Sequence, residues 1–274
     1  MLFSGAFLTL NERLYMFHYS AFRKILVLFS ASCLQSEVPP WYILGSLKEI
    51  EFNVHSLEEF IDKYSPSMLH LIECSHPTEE ELSFMRGIAE EKSIDLGIAA
   101  PASLNDFSFV ENYVEYFVLY LKGEAERNAS FLSHFKGRTL EDLPMIEVHI
   151  GVNSREELTN TLKLYLNISS IPIHIFVLKP IGVSSFISSK NLNIYIHDFW
   201  FGSSDSASTR CLSCGFPLIS FKNFFSSVSQ FSDSTKCPRC QKKVFLREPD
   251  KKWVNKNLLM KGIELLRREE QEWQ

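Results

Sequence analysis

Short, almost unbroken apolar runs recur along the first 200 or so residues, and they constrain the fold more than any other feature of the chain. They are KILVLF (24–29), LKEIEF (47–52, the least apolar), MLHLIE (68–73), DLGIA (95–99), YFVLYL (116–121), MIEVHI (145–150), IHIFVL (173–178) and LNIYIH (192–197). A strand with one wet face alternates apolar and polar side chains. Runs without alternation are the pattern of strands buried on both faces of a parallel sheet. Helical patterns with start signals lie between them. Ser56 precedes LEEFIDKY with Glu59 three residues on, and Thr78 precedes EEELSFMRGIAEEK with Glu81 three residues on, so each has both members of a capping box. Ser154 precedes REELTNTLKLYL, which places Leu158, Leu162 and Tyr165 on one face. Repeated strand–helix–strand units with right-handed crossovers build a parallel sheet. The stretch is short for a complete eight-unit barrel, which takes about 250 residues, so an open sheet or a partial barrel is expected.

A different pattern follows the polar, small-residue stretch GSSDSAST (202–209), which reads as a linker. Four of the six cysteines form two pairs, Cys211-Leu-Ser-Cys214 and Cys237-Pro-Arg-Cys240, with 22 residues between the pairs. Two thiolates two residues apart can grip one ion from a tight knuckle, and two knuckles complete a tetrahedral four-sulfur site. Gly215 suits the left-handed turn after the second ligand, and Pro238 pre-sets the second knuckle. The intervening PLISFKNFFSSVSQF reads as short strands around a serine-rich tip. The expectation is a small zinc ribbon in which Zn²⁺ is structural, since four sulfurs leave no open position; two disulfides or a rubredoxin-like iron are the other readings of the same spacing. Beyond it, Val254, Leu258, Leu259, Leu265 and Leu266 lie on one stripe of an amphipathic C-terminal helix whose other face carries mixed charge, as a closing helix does.

Charge divides the chain in the same place. Residues 210–252 hold nine Lys/Arg against three acidic residues, a net of +6, and residues 253–274 balance; the total of −5 therefore leaves the first 209 residues at −11. A basic ribbon offers a nucleic-acid surface, but few aromatics accompany the charge and the body is acidic. The opening MLFSGAFLTLNER has no basic residue ahead of its apolar stretch and no cleavage pattern. The longest later apolar run, ILVLF (25–29), falls far short of the about 18–20 residues of a membrane helix. A cytoplasmic protein with no membrane association is expected, and in a reducing compartment paired cysteines more often hold metal than form disulfides.

With strand–helix units followed by a ribbon, several segments fall into a familiar order. NERLYMFHYSAFRKILVLFSASC (11–33), CSHPT (74–78), YFVLYLKG (116–123), IGVNSREEL (150–158) and IPIHIFVLKP (171–180) occur in sequence. In this order and spacing the chain resembles the AmmeMemoRadiSam-system branch of radical SAM enzymes, related to pyruvate formate-lyase activating enzymes. The first segment is similar to the one leading into that family's first cluster cysteine. CSHPT stands where the family has a YNEPT-like stretch, YFVLYLKG where a strand ends in Asp-Leu-Lys-Gly, and IGVNSREEL where the family has PGLNDSEEEL. The resemblance implies a partial (β/α) barrel with parallel strands over residues 1–205, a zinc ribbon over 206–248 and the C-terminal amphipathic helix over 249–274. It also implies a [4Fe–4S] cluster held by C-x3-C-x2-C, whose open iron chelates S-adenosylmethionine. Here Cys33 matches the first of those cysteines, but Glu37 and Pro40 occupy the other two positions. His76 replaces the acidic residue of the YNEPT-like stretch, Ala99-Ala100 an Asn-Gly turn, and Tyr120 the Asp before Leu-Lys-Gly. One thiolate does not retain such a cluster. Neither a cluster nor S-adenosylmethionine is therefore expected, and the resemblance implies a non-catalytic relative acting as a scaffold, regulator or partner subunit of another protein. The alternatives are an enzyme with atypical cluster binding or repurposed metal chemistry at the barrel mouth, and a nucleic-acid-associated module using the ribbon.

The strand ends still carry polar groups: Glu73, Glu147, His149, His174, His197 and Asp198. Glu147 and His149 are two apart, hence on one face of their strand. Facing inward beside His174 on a neighbouring strand, they would make a divalent-metal or acid–base site at the barrel mouth, whereas a His in an apolar strand is more commonly a hydrogen-bonded core residue. Cys33 and Cys74 have no base nearby in sequence and read as buried, unreactive thiols, Cys33 being the remnant of the three-cysteine motif.

Overall fold

The recurrent apolar runs form one sheet. The computed structural model describes residues 3–10, 14, 16, 23–31, 33, 38–42, 54–101, 108–121, 145–165, 171–181, 194–198, 208–211, 213–222, 226–229 and 236–243. The strands are β1 (Phe3–Leu10), β2 (Lys24–Ser30), β3 (Met68–Ile72), β4 (Asp95–Pro101), β5 (Tyr116–Leu121), β6 (Met145–Val152), β7 (Ile173–Val177) and β8 (Ile194–Asp198). Their spatial order is their order in the chain. From β2 to β8 every neighbouring pair is parallel. β1 runs antiparallel to β2 and was not anticipated: FSGAFLTL reads as an apolar start, and no helix pattern separates it from β2. The expected strand 47–52, the C-terminal helix 249–274, Glu37 and most of the 202–209 stretch lie outside the described residues.

A sheet whose order never reverses, crossed by connections of one hand, carries all its helices on one face. The two faces here have correspondingly different contents. Against one lie α1 (Val54–Tyr64), α2 (Glu79–Glu91), a helical turn at Ser108–Glu111 and α3 (Arg155–Tyr165). Leu57, Phe60 and Ile61 of α1, Leu82, Met85 and Ile88 of α2, and Leu158 and Leu162 of α3 pack there on strand residues such as Leu26, Leu71, Ile98, Leu119, Val148 and Ile175. Full burial of each such side chain is worth about 1.5–3 kcal/mol, so this layer supplies much of the fold's stability. The opposite face, called the inner face below, gathers Val27, Phe29, Ile72, Val118, Tyr116, Tyr120, Phe176 and Tyr195 under Leu14, Met16, Val38, Trp41 and Tyr42 from the connecting segments.

The three helix starts differ in how they are capped. Thr78 caps α2 in a full capping box: its hydroxyl accepts from the Glu81 amide at 3.2 Å, and its own amide donates to Glu81 Oε2 at 2.8 Å. At α3 the Ser154 hydroxyl accepts from the Glu157 amide at 3.1 Å, while Glu157 reaches back to the Asn153 amide at 2.7 Å. α1, however, starts at Val54, so Ser56 lies inside its first turn rather than at its cap.

The cysteine-rich part forms a separate three-stranded antiparallel sheet of β9 (Ser208–Arg210), β10 (Pro217–Lys222) and β11 (Ser226–Ser229), in the order β11-β10-β9. Ser208 and Thr209, read as the end of the linker, already pair with β10.

Candidate functional site

Two clusters of ligand-type side chains occur among the described residues: Cys211, Cys214, Cys237 and Cys240, and Glu147, His149 and His174. In the first, each Cys-x-x-Cys is followed by a residue with positive φ, Gly215 at 70° and Gln241 at 60°. The two turns close alike. The Gly215 amide donates to the Cys211 carbonyl at 2.8 Å and the Gln241 amide to the Cys237 carbonyl at 2.9 Å; the Cys211 and Cys237 amides donate to the Phe216 and Lys242 carbonyls. Only the first of these left-handed positions was readable as glycine. The turns bring Cys211 Sγ to 3.6 Å from Cys240 Sγ, and Cys214 Sγ to 3.6 Å from Cys237 Sγ. Tetrahedral bonds of about 2.3 Å to one ion place sulfurs about 3.8 Å apart, so the four cysteines could hold a metal such as zinc. In the metal-free protein, burial pushes the Cys211 thiol up to about 12. Burial acts in the same direction on Cys237, but the Cys240 and Arg239 amides and the neighbouring thiols hold it down to about 7.

The second cluster is built by strand register on the inner face. His149 of β6 stands opposite His174 of β7, which stands opposite Tyr195 of β8, while Glu147 lies one layer away on β6. All three ligand-type residues are fully buried. Glu147 Oε2 lies 3.3 Å from His174 Nε2 and 3.6 Å from His149 Nε2. Each imidazole is held from behind: Tyr42 Oη is 3.0 Å from His149 Nδ1, and His197 Nε2 is 2.9 Å from His174 Nδ1. The His174 ring stacks on Tyr195, 4.8 Å away and 14° from parallel, and lies within 5° of parallel to His197, the ring to which it is hydrogen-bonded. Burial lowers His149 against the opposing pull of Glu147. Burial, with His149 adding to it, takes both His70 and His197 to about 3, so near neutrality these rings are uncharged and keep a lone pair. Burial likewise raises the Tyr42 and Tyr195 phenols, which stay protonated.

A cover of two aromatics closes over this group. The 3₁₀ turn Pro40–Tyr42 lays Trp41 flat on Phe176, 4.6 Å away and 6° from parallel, and sets Tyr42 against His149. Trp41 approaches β6 so closely that a Cβ on Gly151 would stand 2.8 Å from its ring, which is why that strand carries glycine there. Tyr120 donates its hydroxyl to the Glu73 carbonyl.

Cys33 and Cys74 are not free thiols but a disulfide, with Cα atoms 5.0 Å apart, joining the segments that follow the carboxyl ends of β2 and β3. The partner of each is the other, 41 residues away in sequence. His76 is exposed in the β3–α2 loop, and Pro40 is exposed at the start of the 3₁₀ turn. Sequence reasoning missed Tyr42 and Tyr195. Tyr195 links the two sheets: its hydroxyl accepts from the Arg210 amide at 3.1 Å, immediately before Cys211, while its ring stacks on His174. No protein-family model matches the chain, and no curated protein matches it. No helix among the described residues is long and apolar enough to cross a membrane.

Proposed function

We propose that this is a non-catalytic, radical-SAM-like protein: a partial (β/α) barrel without its iron–sulfur cluster, stiffened by a structural zinc ribbon, that serves another protein as scaffold, regulator or partner subunit. A chain-ordered sheet with its helices on one face is the arrangement a partial barrel requires, and it supports that part of the reading. One observation carries the loss of chemistry. Cys33, the one cysteine at the three cluster positions, has its sulfur committed to Cys74, and the chain around the third position is a turn that packs Trp41 and Tyr42 into the inner face. A cluster would need both the thiolate and the space. The four-sulfur geometry supports zinc as the ion of the ribbon, with a structural role because no coordination position is left for a substrate.

The test is anaerobic reconstitution of the full chain with iron and sulfide, followed by absorption and EPR spectra and an assay for S-adenosylmethionine cleavage. No stable cluster and no cleavage are expected. A cluster that survives desalting and cleaves S-adenosylmethionine overturns the reading.

A further inference from the structure

We propose that Glu147, His149 and His174 form a second metal centre, a two-histidine, one-carboxylate site for a divalent first-row transition ion such as Zn²⁺, built into the inner face independently of the cysteine cluster. The proposal does not rest on the radical-SAM reading.

The distances carry it first. Nitrogen and oxygen ligands at about 2.0–2.2 Å from a tetrahedral ion lie about 3.3–3.6 Å from one another. Glu147 Oε2 is 3.3 Å from His174 Nε2 and 3.6 Å from His149 Nε2, and the three ligand atoms lie within 4.8 Å of one another. A histidine–carboxylate pair in a hydrogen-bonded core aims an N–H at the oxygen. His149 Nε2, wholly buried, stands 3.6 Å from the carboxylate oxygen, longer than an ordinary N–H···O bond and at the spacing of two ligands of one ion. It faces the carboxylate as a ligand atom faces a shared centre.

The surroundings carry it next. Histidines that bind metal use the second ring nitrogen to engage an outer partner that fixes the tautomer. Both do so here, His149 Nδ1 with Tyr42 Oη and His174 Nδ1 with His197 Nε2. If each Nδ1 donates, each Nε2 presents a bare lone pair toward Glu147. Two neutral imidazoles and one carboxylate suit zinc and its first-row neighbours rather than Mg²⁺ or Ca²⁺, which take oxygen ligands. Three protein ligands leave one coordination position for water or a small ligand.

The experiment counts metal in the full chain, purified from zinc-supplemented medium and, separately, refolded with excess Co²⁺ and then desalted. The wild type is expected to hold about two equivalents per chain, since the two donor sets are independent. The Cys211→Ser/Cys214→Ser variant should keep the inner equivalent, and its cobalt form should lack thiolate-to-metal charge-transfer absorption. Glu147→Gln and His174→Gln should lose that equivalent and keep the thiolate signature. Tyr42→Phe, which retains the ring and removes only the hydroxyl behind His149, should weaken inner-site affinity by about 10–100-fold. A wild type that takes up only the thiolate-bound equivalent in both preparations overturns the proposal, whatever the variants do. So does a Glu147→Gln protein that folds normally and still binds about two equivalents.

Discussion

The bond between Cys33 and Cys74 invites the most direct perturbation. It closes 41 residues of chain that include all of α1, and it staples the segments leaving two adjacent parallel strands. In the chain-entropy treatment, opening such a loop restores to the unfolded state about 0.6 kcal/mol from the constant term and about 3.3 kcal/mol from the length term, about 4 kcal/mol altogether. The perturbation is a non-chelating phosphine reductant, with Cys74→Ser as the genetic equivalent; Cys74 is only half-buried, so the serine itself adds little. Urea unfolding should then show a midpoint lower by about 1–2 M for a slope of about 2–3 kcal/mol/M. The four ribbon cysteines are not disulfide-bonded, so the reductant leaves them as they are. Cys74→Ser should accordingly unfold at the same urea concentration with or without reductant. An unchanged wild-type midpoint, with mass spectrometry showing that the bond has opened, would refute the reasoning. Alkylation of both cysteines in the native, unreduced protein would refute the pairing itself, and with it the argument that Cys33 is unavailable to a cluster. The result also bears on location: a disulfide persists in an oxidising compartment, whereas in the expected cytoplasm the protein would carry the lower stability.

Thr78→Ala should cost about 1 kcal/mol by removing the α2 capping box, read as a lower urea midpoint; no change would mean that the Glu81 bonds are not formed in solution. His70 is held neutral in the folded state at about 3, below its ordinary 6.5, so the unfolded chain binds the extra proton between those values and stability falls as pH drops through that window. At mid-window one such histidine contributes a slope of about 1.4 kcal/mol per pH unit, and His70→Gln should flatten the acid limb by about that much. Blocking the four clustered cysteines with a mercurial, which displaces any metal they hold, or substituting Cys237→Ser, should abolish amide-exchange protection in β9–β11 while leaving β3–β7 protected; equal loss in both would show that the two sheets fold as one unit.

The strands were legible because burial on both faces leaves an unbroken apolar signature, and Lys24–Ser30, Met68–Ile72 and Tyr116–Leu121 lie within a residue of their runs. What the signature misses is a strand on a different footing. β1 sits at the sheet edge, antiparallel, with Gly5 and a register shift near its start, and it belongs to no strand–helix unit. Helix stops were partly hidden, since Ser65 and Ser93 take the left-handed turns after α1 and α2, at φ 46° and 54°, without the glycine that would announce them. In the sites, legibility followed sequence distance. The cysteine knuckles and the same-face pair Glu147–His149 are local patterns and were readable. His174 could be set beside that pair as an inward-facing residue of a neighbouring strand, whereas the meeting of Cys33 with Cys74 and the cover of Trp41 and Tyr42 depend on irregular connections, which composition does not encode.

The contrast between the two faces of the sheet bears on function. Where the helices pack, the strands contribute almost nothing but Leu, Ile and Val, and that layer satisfies the needs of folding. The inner face carries His70, Glu147, His149, His174 and His197 together with Tyr42, Tyr116, Tyr120 and Tyr195, all buried. Burying such groups costs free energy unless each finds compensation, so a sheet needing only a second apolar layer gains nothing from them. Their arrangement is ordered as well: His149, His174 and Tyr195 share one register layer, and Glu147 lies in the adjoining one. With Cys33 held in a disulfide, the interior is therefore still not a plain second apolar layer. The inner face is organised around the two-histidine, one-carboxylate group, where Glu147 of β6 comes within 3.3 Å of His174 on the neighbouring strand β7.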